Sequence, residues 1–405
     1  MSDKYNFSRR GFLKGAAGAA GTAMGTRLAG RDWIQPAYAD GTEKSALLCV
    51  FLTGGYNALF GSADSFKNKS FGVNDGNIAA LGNGLVVDKA SLGSLPAYGT
   101  SHMASIGVRH GISDHGNAET MDWSDGNRNH AIRLAAAMGG DAAIKIASIG
   151  GFPPSAPRPA EGAVSFQQIN SMDTTIRALG GGAPDPKIPA RNVAAQALIR
   201  AQTMSGRTVT ANPKAMTTFK DSYDTSILTL QKPVKPFIFD DIAKDYTGKA
   251  TGNSTAVTDF TSKFIGAELM IRAGANVVTI SDGFNWDSHG DTDGSGVRKR
   301  FADQVMPGLT TFVNHIGNDP DLKAMNIVVA IFGDFARSLP GSDHQPNLTT
   351  TVIGKYVKVG TTGHTDGNVG LPAGTGSTVQ MWSYFAAALK VQTDIFGPNP
   401  HALVL

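Results

Sequence analysis

The sequence predicts an α/β fold, with a mostly parallel central sheet flanked by helices. Three observations predict it. Ala46 to Leu52 (ALLCVFL) and Ile327 to Phe332 (IVVAIF) are short, unbroken apolar runs, as expected of strands buried on both faces. Residues 255–334 alternate helix, strand, helix, strand, which implies parallel strands joined by right-handed crossovers. Two of these strands run directly into Asp, His and Arg side chains, at the place where open α/β sheets bind ligands.

At 405 residues the chain can bury a sizeable core. Its formal net charge is +3, but residues 1–39 hold six Lys and Arg against two acids, leaving 30 basic and 31 acidic side chains in the remainder. That balance gives no basic face for nucleic acid. The single Cys49 cannot form an intramolecular disulfide, so either redox compartment is compatible with it. After residue 39 no stretch approaches the roughly 18 apolar residues of a membrane span.

Residues 1–39 read as an export signal. Ser8-Arg9-Arg10-Gly11-Phe12-Leu13-Lys14 has the form of a twin-arginine motif, a Gly/Ala stretch follows, and Ala37-Tyr38-Ala39 fits a cleavage site. The expected partner is the twin-arginine export machinery and the expected location periplasmic or secreted, with no transmembrane segment after cleavage. Residues 40–405 are then expected to form a single domain.

The first strand, Ala46 to Leu52, ends in Thr53-Gly54-Gly55-Tyr56-Asn57, whose glycines allow positive φ or close approach of a ligand. Residues 61–100 are a long excursion with short elements. Met103 to Val108 is a strand that leads through Arg109-His110 to Asp114-His115 and a helix expected over 117–138. The free N–H groups at that helix start attract anions. His102, His110 and His115 all lie near this junction.

Ala143 to Ile149 is a further strand. Residues 151–162 form a proline-rich loop, and 151–250 leave room for an insertion or cap. Thr255 to Arg272 is an amphipathic helix. The strand Asn276 to Ile280 runs into Trp286-Asp287-Ser288-His289. Val297 to Ile316 is a helix with a kink expected at Pro307. After the strand at 327–332 come Asp334, Arg337, Asp343 and His344. Thr349 to Val359 is a strand, and Ser377 to Leu389 closes the chain as a helix.

The metal-ligand candidates are Asp287, His289, Asp334, Asp343 and His344, with Asn57 and His115 as possible additions. Carboxylates and imidazoles together suit a divalent metal ion, zinc among the candidates. His115 and Arg337 are the catalytic candidates, Arg337 as a clamp on anionic oxygens. An anionic small molecule or ester is the substrate class such a site would take. The competing reading makes all of these turn-forming and capping residues.

Four motifs, in this order, carry a resemblance: Gly54-Gly55-Tyr56-Asn57, Trp286-Asp287-Ser288-His289, Gly333-Asp334-Phe335-Ala336-Arg337 and Gly341-Ser342-Asp343-His344. Behind a twin-arginine signal they resemble the DUF1501 family, exported proteins related to alkaline phosphatases and sulfatases. The resemblance implies an alkaline-phosphatase-like three-layer sandwich and metal ligation at Asp287, His289, Asp334 and His344. It implies a hydrolase of phosphate or sulfate esters, or a non-catalytic envelope protein that keeps the fold for binding or structure. The chain departs from the family pattern at Asn57, where an acid is usual, and at Asp114, where a serine is usual. With one carboxylate fewer, at most one ion should be held tightly.

Overall fold

Six consecutive apolar residues after Ser45 make Ser45–Phe51 (β1) a strand with no exposed face. In the computed structural model it lies inside an eight-stranded sheet. The structure describes residues 43–56, 76–140, 142, 144–150, 155–161, 164–178, 191–209, 239–246, 257–282, 286–339, 341–363, 371 and 375–405. The other strands are Met103–Arg109 (β2), Ile146–Ile149 (β3), Phe166–Ile169 (β4), Val277–Ser281 (β5), Asn326–Phe332 (β6), Asn347–Gly354 (β7) and Gly360–Thr361 (β8). Their order across the sheet is β8-β2-β7-β6-β1-β5-β3-β4. Only β7 runs against the rest; every other pairing is parallel.

Helices cover both faces and complete a three-layer α/β sandwich. Alternate residues of β6 separate cleanly: Ile327, Val329 and Ile331 pack into one core, Val328, Ala330 and Phe332 into the other. The first core is closed by Phe260–Arg272 (α3) and Met306–Asn318 (α4). The second is closed by His115–Trp123 (α1), His130–Met138 (α2) and Thr378–Ala388 (α5). Trp123, Phe332, Trp382 and Phe385 make edge-on and tilted ring contacts across this layer.

Two local expectations are revised. The helix expected over 117–138 is two helices, α1 and α2, parted by a hairpin of Ser124–Asp125 and Arg128–Asn129. Gly126 at φ 58 makes the turn, and Asn129 caps α2 by accepting from the Ile132 N–H. The kink expected at Pro307 takes the form of a π turn over Phe301–Val305, just before the proline. Widening the helix there accommodates a ring that has no N–H and would crowd the carbonyl four residues back. As expected, β5 and β6 are parallel; β1 lies between them and pairs with both.

Residues 61–75 lie outside the described part of the excursion; the rest of it holds a hairpin, Ile78–Gly82 with Leu85–Asp88, and two short helical turns. Much of 151–250 also lies outside the described residues, but Phe166–Ile169 within it is the edge strand β4. No helix among the described residues is long and apolar enough to cross a membrane.

Candidate metal centre

The crevice lies beyond the carboxyl ends of β1, β5 and β6, where the order of strands reverses around β1. Gly54 and Gly55 leave β1 at φ 114 and 86. Any side chain is excluded there: a Cβ on Gly54 would sit 2.5 Å from the Asp287 nitrogen, and one on Gly55 would sit 2.6 Å from Arg337 Nε. The two glycines thus let the loops after β5 and β6 close over the end of β1. The Trp286 N–H donates to the Thr53 carbonyl at 3.2 Å and fixes one of these loops.

Asp334 and Arg337, both fully buried, lock the crevice from below. One oxygen of Asp334 accepts from the N–H groups of Gly55 (2.6 Å) and Gly54 (3.2 Å). The other accepts from His115 Nδ1 at 2.6 Å. Arg337 donates through Nε to the Gly55 carbonyl (3.1 Å) and through Nη1 to the Ser342 carbonyl (2.7 Å). Its Nη2 donates to the Gly54 carbonyl (2.7 Å) and to Asp287 Oδ1 (2.6 Å). The loops after β1, β5 and β6 are therefore joined through one guanidinium.

Above this floor, His115, Asp287 and His344 offer ligand atoms that all lie within 4.8 Å of one another. His115 opens α1, with Asp114 capping the helix by accepting from the Asn117 N–H. Its Nε2 is 4.0 Å from Asp287 Oδ2. His344 donates from Nδ1 to the Ser113 carbonyl at 2.7 Å. Burial and the positive charge of Arg337 hold His344 below the usual imidazole pKa, although the Ser113 bond opposes this, so it is neutral near pH 7. His289 reaches the group from the loop after β5, its Nε2 3.0 Å from that of His344 and 3.5 Å from Asp287 Oδ1. Phe335 lies against His115 and His344, with ring centroids 4.7 and 4.3 Å away.

The residues singled out from sequence therefore take distinct places. Asp287, His289 and His344 meet in the crevice, and His115 joins them. Asp334, counted among the ligands, lies behind His115, with one oxygen accepting from Gly54 and Gly55 and the other from His115. Arg337, expected to clamp an anion, spends its donors on the loops and Asp287. Asp343 is exposed; its backbone bonds Ser338, and its carboxylate lies against Gly341 rather than in the cluster. Asn57 lies outside the described residues. His110 donates from Nε2 to the Asp334 carbonyl at 2.9 Å and accepts the Ile112 N–H at Nδ1. That arrangement needs the neutral ring, which burial also favours. His102 stacks on Tyr98 instead.

Sequence reasoning missed two acids on α1. Glu119 and Asp122 follow His115 at helical spacings of four and seven, which put them on its face, and this was the available signal. Glu119 accepts the Ser155 N–H at 2.7 Å. Asp122 is fully buried and its carboxyl oxygens make no hydrogen bond among the described residues. Burial first, then the charges of Asp334 and Glu119, push it well above the usual carboxylate range, so it is a neutral acid.

No family model matches the chain, and no curated protein does. Among solved structures it is similar to the lipoteichoic acid synthase LtaP from Listeria monocytogenes, at 10% identity over 95% of this chain and 81% of that one, with a TM-score of 0.34. It is similar to alkaline phosphatase from the Antarctic bacterium TAB5, at 10% identity over 86% of this chain and 99% of that one, with a TM-score of 0.31. The PsFucS1 sulfatase from Pseudoalteromonas sp. matches at 11% identity over 89% of this chain and 70% of that one, with a TM-score of 0.32. The chemistry of the crevice rests on its own residues and not on these distant likenesses.

Proposed function

We propose that the protein is an exported, metal-dependent hydrolase of phosphate or sulfate esters, belonging to the DUF1501 family. The observation that carries this reading is the convergence of His115, Asp287 and His344 in a crevice at the end of a parallel sheet. The donor set fits a divalent ion: in His115 and His344 alike Nδ1 is taken by a protein acceptor, so Nε2 is the ring atom that would meet the ion. A bound ion would polarise a phosphoryl or sulfuryl oxygen and make water more acidic. The residues of the chain orient the ligands and hold the loops around them. Twin-arginine export, with the periplasm or medium as destination, follows from residues 1–39.

The test measures release of nitrophenol from p-nitrophenyl phosphate and p-nitrophenyl sulfate by protein stripped with a chelator and then given zinc. Turnover that disappears on stripping, returns with zinc and is lost in Asp287→Ala supports the reading. Metal binding without turnover on any ester would favour the second reading, an envelope protein that keeps the fold for binding. One observation favours that alternative: Asp114, at the position where the family has a serine, is committed to capping α1. Export is checked by fractionating cells that carry Arg9→Lys with Arg10→Lys; undiminished periplasmic protein would refute it.

A further inference from the structure

We propose that Ser342 is a positioning residue. Its hydroxyl holds the Asp287–His289 loop to the loop after β6, and its left-handed backbone lets the same residue hold Arg337. The consequence for turnover rests on the hydrolase reading above; the positioning itself does not.

Ser342 is fully buried and has φ 55, a region in which residues with a Cβ are strained. Two other non-glycine residues among the described ones have positive φ, and each has a local reason. Asn83 is exposed in the hairpin turn before Leu85, and asparagine tolerates this conformation. Lys390 is exposed just past α5, where its N–H donates to the Ala387 carbonyl and that of Val391 to the Ala386 carbonyl. Around Ser342 the loop closes on itself: the Ser342 N–H donates to the Ser338 carbonyl at 2.8 Å, and the Ser338 N–H to the Asp343 carbonyl at 2.9 Å. Closure of the loop does not call for serine, because glycine would adopt the same backbone without strain. What serine adds is a hydroxyl, and buried strain beside a site points to the contact it permits.

That contact reaches the loop after β5. Ser342 Oγ donates to the Ser288 carbonyl at 2.6 Å, and the same carbonyl accepts the Asp291 N–H at 2.8 Å. One oxygen thus fixes the turn that follows Asp287. The Ser342 carbonyl accepts from Arg337 Nη1 at 2.7 Å, while Arg337 Nη2 holds Asp287 Oδ1 at 2.6 Å. Asp287 is therefore braced twice from one residue: its carboxylate through Arg337, and the backbone beside it through the Ser342 hydroxyl. Asp287 and His289 are themselves exposed, so core packing does not place them. The buried Trp286, bonded to Thr53, anchors only the near end of their loop. Small misplacements of reacting groups cost large factors in rate, so a brace at this point acts on turnover without touching substrate.

The test compares Ser342→Gly and Ser342→Ala with the parent, all stripped with a chelator. Both variants lose the hydroxyl, but only glycine takes up φ 55 without strain. Urea unfolding reads global stability, and hydrogen exchange followed by mass spectrometry reads the amides of residues 286–291. Ser342→Gly is expected to unfold near the parent's urea midpoint and Ser342→Ala below it. Both should exchange the 286–291 amides about tenfold faster or more than the parent. Given zinc, both should lose about tenfold or more in kcat on p-nitrophenyl phosphate. Unchanged exchange in Ser342→Gly, or faster exchange confined to Ser342→Ala in step with its lower stability, would overturn the proposal and leave Ser342 an ordinary turn residue. A parent that turns over no ester would overturn the hydrolase reading alone, since the exchange measurement needs neither metal nor substrate.

Discussion

Replacing one oxygen of Asp334 by nitrogen tests the logic of the crevice most directly. In Asp334→Asn the amide oxygen can keep the N–H groups of Gly54 and Gly55, which places the NH2 against His115 Nδ1. Two donors then face each other unless His115 moves its proton from Nδ1 to Nε2. That move turns an N–H, instead of a lone pair, toward Asp287. Charge-assisted hydrogen bonds become neutral ones at a fully buried site, which should lower stability by about 1–3 kcal/mol. Loss of a carboxylate behind a ligating imidazole typically weakens metal binding about tenfold to hundredfold, equivalent to about 1.4–2.7 kcal/mol. Zinc affinity by chelator competition, with urea unfolding of the stripped protein, reads both quantities. Unchanged affinity in the folded variant would refute the tautomer argument. Loss as complete as in Asp287→Ala would show that Asp334 binds the ion directly.

Three further outcomes follow from the same geometry. Asp122 stays protonated in the folded chain but ionises in the unfolded one, so above the ordinary carboxylate pKa it should destabilise the protein by up to about 1.4 kcal/mol per pH unit until its raised folded pKa is reached. Asp122→Asn removes this term, and its stability relative to the parent should rise between pH 5 and 8 in denaturant titrations; a flat difference would contradict the neutral acid. Gly55→Ala should destabilise by on the order of 2 kcal/mol or more, because the position has φ 86 and a Cβ would displace Phe335 and Arg337. A melting temperature equal to the parent's would count against the close approach. Arg337→Lys keeps the charge but cannot span three loops, and should lower stability by about 2–4 kcal/mol and detach Asp287, read by unfolding and by zinc affinity.

Much of the fold was legible in the sequence because the middle of a parallel sheet is buried on both faces. That burial forces unbroken apolar runs, and β1, β5 and β6 were recognisable from them. The break between α1 and α2 carried its own signal in Asp125-Gly126, but the helical periodicity on either side masked it. Asp287, His289 and His344 could be read as crevice residues because each follows, within a short loop, an element whose end is fixed by its hydrophobic pattern. Strand order could not be read in this way. Nothing in the runs themselves states that β1 lies between β5 and β6.

By itself, then, the sequence determined which segments are strands and helices and which polar residues sit at their ends, since local periodicity and burial decide both. Tertiary structure alone decided what each of those residues does. His115 and Asp334 are 219 residues apart, and their 2.6 Å contact exists only because β2 and β6 bring α1 and the Gly333–Arg337 loop to the same end of the sheet. Arg337 has the same charge on a surface as under a crevice. Only packing, by removing water and surrounding the guanidinium with carbonyls and a carboxylate, makes it a clamp for three loops.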